Sequence, residues 1–148
     1  MSRMIFVNLP VRDLARSRSF LEALGAVNEP KFTDDTAACM TLSDTIHVML
    51  LTHEKFSQFT PRPVADAAAG SEVLLCLSET SRESVDSTLE RAVAAGGTAD
   101  PSSKQDYGVM YGRSVSDPDG HIWEIMWMDP AAAERGAEAV QEAAAAAL

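Results

Sequence analysis

One order of elements occurs twice along this chain, and that repeat limits the possible folds more than any other feature. The first copy opens with an apolar run, IFVNLPV, from Ile5 to Val11. A helix is predicted over Asp13–Leu24. Asp13 suits the N-cap, Leu14, Leu21 and Leu24 form an apolar stripe, and Gly25 ends it. Three strand-like pieces follow, around Ala26–Phe32, Thr36–Leu42 and Thr45–Thr52. The second copy starts with Val73–Leu77. Thr80 and Glu83 have capping-box spacing before a helix predicted over Ser81–Ala95, whose Val85, Leu89, Ala92 and Val93 share one face. Gly96 and Gly97 end that helix. Strands are predicted around Thr98–Ala99, Gly108–Ser116 and Ile122–Met128. A Ser-Asp pair precedes the last strand of each copy, at Ser43-Asp44 and Ser116-Asp117.

Each copy is therefore β-α-β-β-β. One helix can cover only one face of so small a sheet, so the other face must pack on a neighbour or line a cavity. The expected fold class is α+β: two tandem modules forming a curved mixed sheet, helices outside and a concave face inside. Concave, mostly apolar faces with a few polar groups are where small molecules bind. Residues 4–52 and 71–130 are the expected modules, and 53–70, with Pro61 and Pro63, the linker. Together, residues 1–130 make one domain. Residues 131–148 are rich in Ala and Glu, with good helix propensity but no apolar stripe, and are expected as a helix or mobile tail.

Composition removes several function classes. Lys and Arg total 12 against 22 Asp and Glu, a formal charge of −10. Nucleic acid and anionic membranes both demand a basic surface, so neither is an expected partner. No segment approaches the ~18 apolar residues of a membrane span. The opening MSRMIFVNLPVRD lacks signal-peptide architecture, so a cytoplasmic location is expected. Cys39 and Cys76 both lie in strand-like runs and are expected as buried thiols, without a disulfide. No Ser-His-Asp or Cys-His arrangement, phosphate loop or dinucleotide-binding glycine pattern is present.

The stretch SDPDGHIWEIMW (Ser116–Trp127) places one carboxylate, Glu124, inside an apolar strand. Alternation allows two readings. Glu124 faces solvent, or it faces the concavity with Ile122 and Met126 while Trp123, Ile125 and Trp127 pack under the helix. Met40, Met49, Met110, Met126 and Met128 suit either core gap-filling or an adaptable apolar floor.

With its duplicated order, its VRDLARSRSFLEALGA after the first strand and its DPDGHIWEI near the end, the sequence resembles the vicinal oxygen chelate superfamily over about Met4–Pro130. That superfamily includes glyoxalase I, bleomycin-resistance proteins and extradiol dioxygenases. The likeness is strongest to small glyoxalase-like proteins. In metal-dependent members, the resemblance implies, each half gives two ligands to one divalent ion, from its first and last strands. Glu124 falls on the last-strand position of the second half, and Glu72 on the first-strand position by a count from Leu77. In the first half the corresponding places fall on Phe6 and on Val48 or Met49, with His47 one residue out of register. None of Phe6, Val48 and Met49 is a good ligand for such an ion.

The resemblance therefore implies an incomplete metal site of Glu72 and Glu124, able at most to hold a divalent ion weakly, with no tightly bound cofactor. The same two carboxylates are the candidate catalytic pair, one as acid and one as base. Tyr111, Arg113, Met110, His47 and Phe6 are candidate ligand-binding residues, since the strand before the DPDG turn lines the cup in this family. His121 and His53 read as turn and linker residues. The expected function is small-molecule binding of the glyoxalase or bleomycin-resistance kind, by a homodimer. The alternative is a metal-dependent lyase or dioxygenase acting on a substrate with two vicinal oxygens. A third reading is a purely structural dimerisation module.

Overall fold

The computed structural model describes residues 2–147. Met1 and Leu148, the outer ends of the expected domain and tail, lie outside the described residues. The first half forms β1 (Ile5–Val11), α1 (Leu14–Ala23), β2 (Val27–Glu29), β3 (Ala37–Thr41) and β4 (Ile46–Thr52). A short α2 (His53–Ser57) opens the linker. The second half forms β5 (Leu75–Ser78), α3 (Arg82–Ala94), β6 (Thr98–Ala99), β7 (Gln105–Asp106), β8 (Met110–Ser116) and β9 (Ile122–Met128). Two further helices follow, α4 (Pro130–Arg135) and α5 (Ala137–Ala146). The C-terminal stretch is thus helical, with Ala132 and Ala139 buried.

The fold is α+β with two mixed, open, curved sheets. Strand order is β1-β4-β3-β2 in one and β5-β9-β8-β6 in the other, with β7 also on β8. In each, the first strand runs parallel to the last and the remaining pairs are antiparallel. The repeat seen in the sequence is therefore a repeat of topology.

Local chemistry explains the boundaries. Asp13 caps α1 by accepting from the Arg16 amide at 3.2 Å. The capping box of α3 is not Thr80–Glu83: Ser81 accepts from the Ser84 amide and the Ser84 hydroxyl accepts from the Ser81 amide. Serine is short enough to close both bonds one residue later than expected. Beyond α1 and α3, Gly25 (φ 100°) and Gly96 (φ 105°) take the left-handed turn that a side chain resists. The first strand after α1 stops at Glu29, because Pro30 begins a short 3₁₀ turn through Phe32. The strand expected from Val73 starts only at Leu75, leaving Val73 and Leu74 exposed. Cys39 is buried as expected, but Cys76 is exposed, because it faces away from the core.

The helix-covered faces of the two halves share one core. Leu9, Val48 and Leu50 from the first sheet meet Trp123, Ile125 and Val115 from the second. Phe20 of α1 and Trp123 are both at most 1% exposed, and their rings lie 6.5 Å apart at 52°. Burying side chains of this size contributes about 1.5–3 kcal/mol each.

The DPDG turn closes the same junction. Asp117 Oδ1 accepts from the amides of Asp119 and His121, and its Oδ2 from the Trp123 indole. Asp119 reaches into the first half, accepting from the Arg12 amide at 2.9 Å and the Ser17 hydroxyl at 3.3 Å. His121 Nε2 lies 2.9 Å from the Pro10 carbonyl. Burial raises the Asp117 pKa, against the pull of His121 and the hydrogen bonds it accepts.

Gly97 lies at this seam. A Cβ there would sit 2.8 Å from Phe20 and 2.8 Å from Val115, one in each half. Gly97→Ala is expected to destabilise by about 1–3 kcal/mol through overpacking, read as a lower midpoint in urea unfolding. An unchanged midpoint would mean that the halves part easily.

Candidate functional site

Register decides which side chains face away from the core. In the second sheet Cys76 pairs with Glu124, and Ser114 lies across from Glu124 on β8. Trp123 and Ile125 flank Glu124 and are buried under α3, so alternation turns Glu124 to the open face. There it lines a depression of about 210 Å³ with Cys76, Met110, Met126, Ser102 and Gln105. Partial enclosure of its sulfur in this depression, and then the charge of Glu124, push the Cys76 thiol pKa up, which favours the neutral thiol.

Glu72 is elsewhere. It precedes β5 in an exposed bend and lines a groove of about 430 Å³ with Asn8, Arg62 and His121. The two carboxylates expected to share a concavity line different cavities. The place beside Glu124 belongs to Cys76, because β5 starts three residues after Glu72. Strand alternation carries this signal: Leu75 and Leu77 turn to the core, so the residue between them turns to the cavity.

In the first sheet the register partner of Phe6 is His47. Val48 is buried in the core on the opposite face. His47 therefore stands across from Phe6 on β4, and Met49 follows two residues along. The rings of Phe6 and His47 stack 4.8 Å apart at 15°. His47 Nδ1 lies 3.0 Å from the Thr41 hydroxyl, while Nε2 is buried without a hydrogen-bond partner. Such an orphan nitrogen costs about 1–3 kcal/mol. Along the same sheet, Asn8, Leu51, Phe56 and Phe59 line a further cavity of about 500 Å³ beside α2.

Met110 lines the Glu124 depression. Tyr111 does not, and Arg113 borders it while its guanidinium is engaged elsewhere. Their side chains lie on the helix side of β8, where Tyr111 donates to Asp86 at 2.7 Å. Arg113 forks between Asp86 (3.0 Å) and Asp100 (3.2 and 2.7 Å). The hydrogen bonds from Tyr111 and Arg113 hold Asp86, and those from Arg113 hold Asp100, below the usual carboxylate range. Asp86 and Asp100 carry no signal in the sequence, since only the packing of α3 and the β6–β7 segment on β8 brings them to Arg113.

That segment is a strap. On the open face the Ser102 amide donates to Ser114 Oγ at 3.0 Å, and Ser114 Oγ donates to the Ser102 carbonyl. On the helix face Arg113 holds Asp100, whose backbone takes φ 53°. Ser102, Ser103 and Gln105 thereby form one rim of the Glu124 depression.

The sequence profile of the Glyoxalase/Bleomycin resistance protein/Dioxygenase superfamily matches residues 3–125. The chain belongs to this superfamily. A glyoxalase-related enzyme from Fulvimarina pelagi superposes with a TM-score of 0.71 at 25% identity, over 86% of this chain and 88% of that one. A hypothetical protein from S. aureus gives 0.71 at 23%, over 86% and 94%. A point mutant of the fosfomycin resistance protein FosX from Listeria monocytogenes, complexed with Mn(II) and 1S,2S-dihydroxypropylphosphonic acid, gives 0.61 at 17%, over 84% and 89%. No functionally curated protein matches the chain significantly.

Replacing Arg113 by Met should free the strap at about 2 kcal/mol, the worth of hydrogen bonds to charged partners. Amide exchange at Asp100 and Ser102 is expected to accelerate while α3 and β9 keep their protection. Unchanged exchange at those two amides would show that Ser114 alone holds the segment.

Proposed function

We propose that this chain is a small-molecule-binding member of its superfamily, and that its ligand sits in the Glu124 depression without a tightly held metal. One observation carries the reading: a half-buried carboxylate set mid-strand among Cys76, Met110 and Met126 in a cavity. A solvent-facing structural glutamate would need no such enclosure. The polar rim at Ser102 and Gln105 gives a ligand donors and acceptors, and the methionines give it an adaptable apolar wall. Fold kinship alone does not decide chemistry.

The Mn(II) complex of FosX raises the question of a divalent ion, and the residues present here do not fit a four-ligand centre. Among the described residues no group of three or more His, Cys, Asp or Glu side chains could hold one. Phe6, at the first-strand place that the family resemblance assigns to a ligand, cannot bind an ion, and its ring stacks on the His47 imidazole. The competing reading, a metal-dependent lyase or dioxygenase, has one observation in its favour: His47 Nε2 is buried and unpartnered.

A homodimer is part of the proposal. Phe6 is 50% exposed, Val27 68%, Phe32 67% and Phe59 69%, apolar surface that a second copy would cover. Among the described residues no helix is long and apolar enough to cross a membrane. With two free thiols, a cytoplasmic setting suits the chain.

Protein purified without added metal is expected to contain well under one equivalent of zinc, nickel or iron, and chelator should leave its melting temperature unchanged. Phe6→His should raise Ni²⁺ affinity by setting a second imidazole beside His47. Stoichiometric metal in the natural protein would favour the enzyme. Light scattering at micromolar concentration should give twice the chain mass; a monomer mass would remove the dimer.

A further inference from the structure

We infer that the Glu124 pocket selects a small monocation, an alkylammonium or amidinium, over neutral and anionic molecules of the same shape. This rests on the reading of that depression as the ligand site. The argument is a charge census of its walls. Glu124 takes part in none of the ion pairs among the described residues. Its cross-strand neighbour Ser114 is turned to the backbone of Ser102, both donating to it and accepting from it. Its lateral neighbour Cys76 is a neutral thiol. The remaining polar groups, Ser102, Ser103 and Gln105, carry no charge.

One cation belongs to the wall, and it is committed elsewhere. Arg113 contributes to the lining, yet its guanidinium lies on the far face of β8, only 15% exposed, gripped by two carboxylates. Tyr111 adds a second polar contact to Asp86, beside that of Arg113. The arginine is thus more than neutralised where it stands, Lys104 on the strap adds its charge to the same Asp86 and Asp100, and no cationic group among the lining side chains pairs with Glu124. A half-enclosed, uncompensated carboxylate attracts positive charge and penalises a second negative one. The small volume, about 210 Å³, limits the occupant to a short chain or a single compact group. Met110 and Met126 supply polarizable contact for its carbon atoms.

The test uses three probes of one shape: n-butylammonium, 1-butanol and butyrate. Binding is followed through the methyl signals of Met110 and Met126 in the full-length protein. Butylammonium should shift both, 1-butanol should bind about tenfold more weakly or worse, and butyrate should leave them unmoved. Glu124→Gln, isosteric at a half-buried position, should erase the difference between ammonium and alcohol. Equal binding of ammonium and alcohol to the natural protein would overturn the cation preference while leaving the pocket as a site. Silence of both methyl signals to all three probes would overturn the pocket as well. Stronger binding of Mn²⁺ than of butylammonium, seen as broadening of the same signals, would also overturn the inference, in favour of a divalent ion. The probe series on the natural protein decides the matter even if the Gln variant fails to fold.

Discussion

Asp117 and Asp119 are buried carboxylates in the turn between β8 and β9, and the relation of the two halves depends on them. A buried charge is tolerated only when its hydrogen bonds are complete. Asp117 satisfies its own turn and the Trp123 indole; Asp119 satisfies the start of α1. One short sequence, DPDG, thus shapes a hairpin and fastens it to the other module. Trp123 is held at its nitrogen by the turn and at its ring by Phe20. Glu124 follows it directly, so its direction is fixed by how firmly the tryptophan is seated.

The two sheets treat their open faces differently. The first presents Phe6 stacked on His47, with Phe56 and Phe59 nearby. The second presents Cys76 and Glu124 at the corresponding pair of strands. A duplicated scaffold has therefore been filled once with aromatic rings and once with a thiol and a carboxylate. The helix-side faces did not diverge in this way, because both must supply the common core. The open faces were free to specialise, since nothing within the chain packs on them to the same degree.

Much of this architecture was legible in the residues, and the reason is periodicity. The β-α-β-β-β order and the helices near Asp13–Leu24 and Ser81–Ala95 follow from alternation, caps and glycines. Site geometry was less legible. A count from Leu77 selected Glu72, but whether the chain is already in a strand at that point depends on pairing with β9, which no local pattern encodes. The same limit hid the pairing of His47 with Phe6, which is a matter of parallel register. Tyr111 was expected in the cup because the family reading assigned the whole strand to it, although alternation puts every second residue under the helix; Arg113 borders the cavity while its guanidinium pairs elsewhere. Their partners Asp86 and Asp100 come from separate elements and could be found only in three dimensions.

The buried turn also shapes how this acidic chain meets protons. Asp86 and Asp100 have lowered pKa values, so the stability they contribute is present above the ordinary carboxylate range and is lost as pH falls through their depressed values. Asp117 works in the opposite sense. Its raised pKa means that the folded chain takes up a proton before the unfolded one does, so mild acidification above the ordinary range favours the fold. The two tendencies act in successive windows, first gain and then loss.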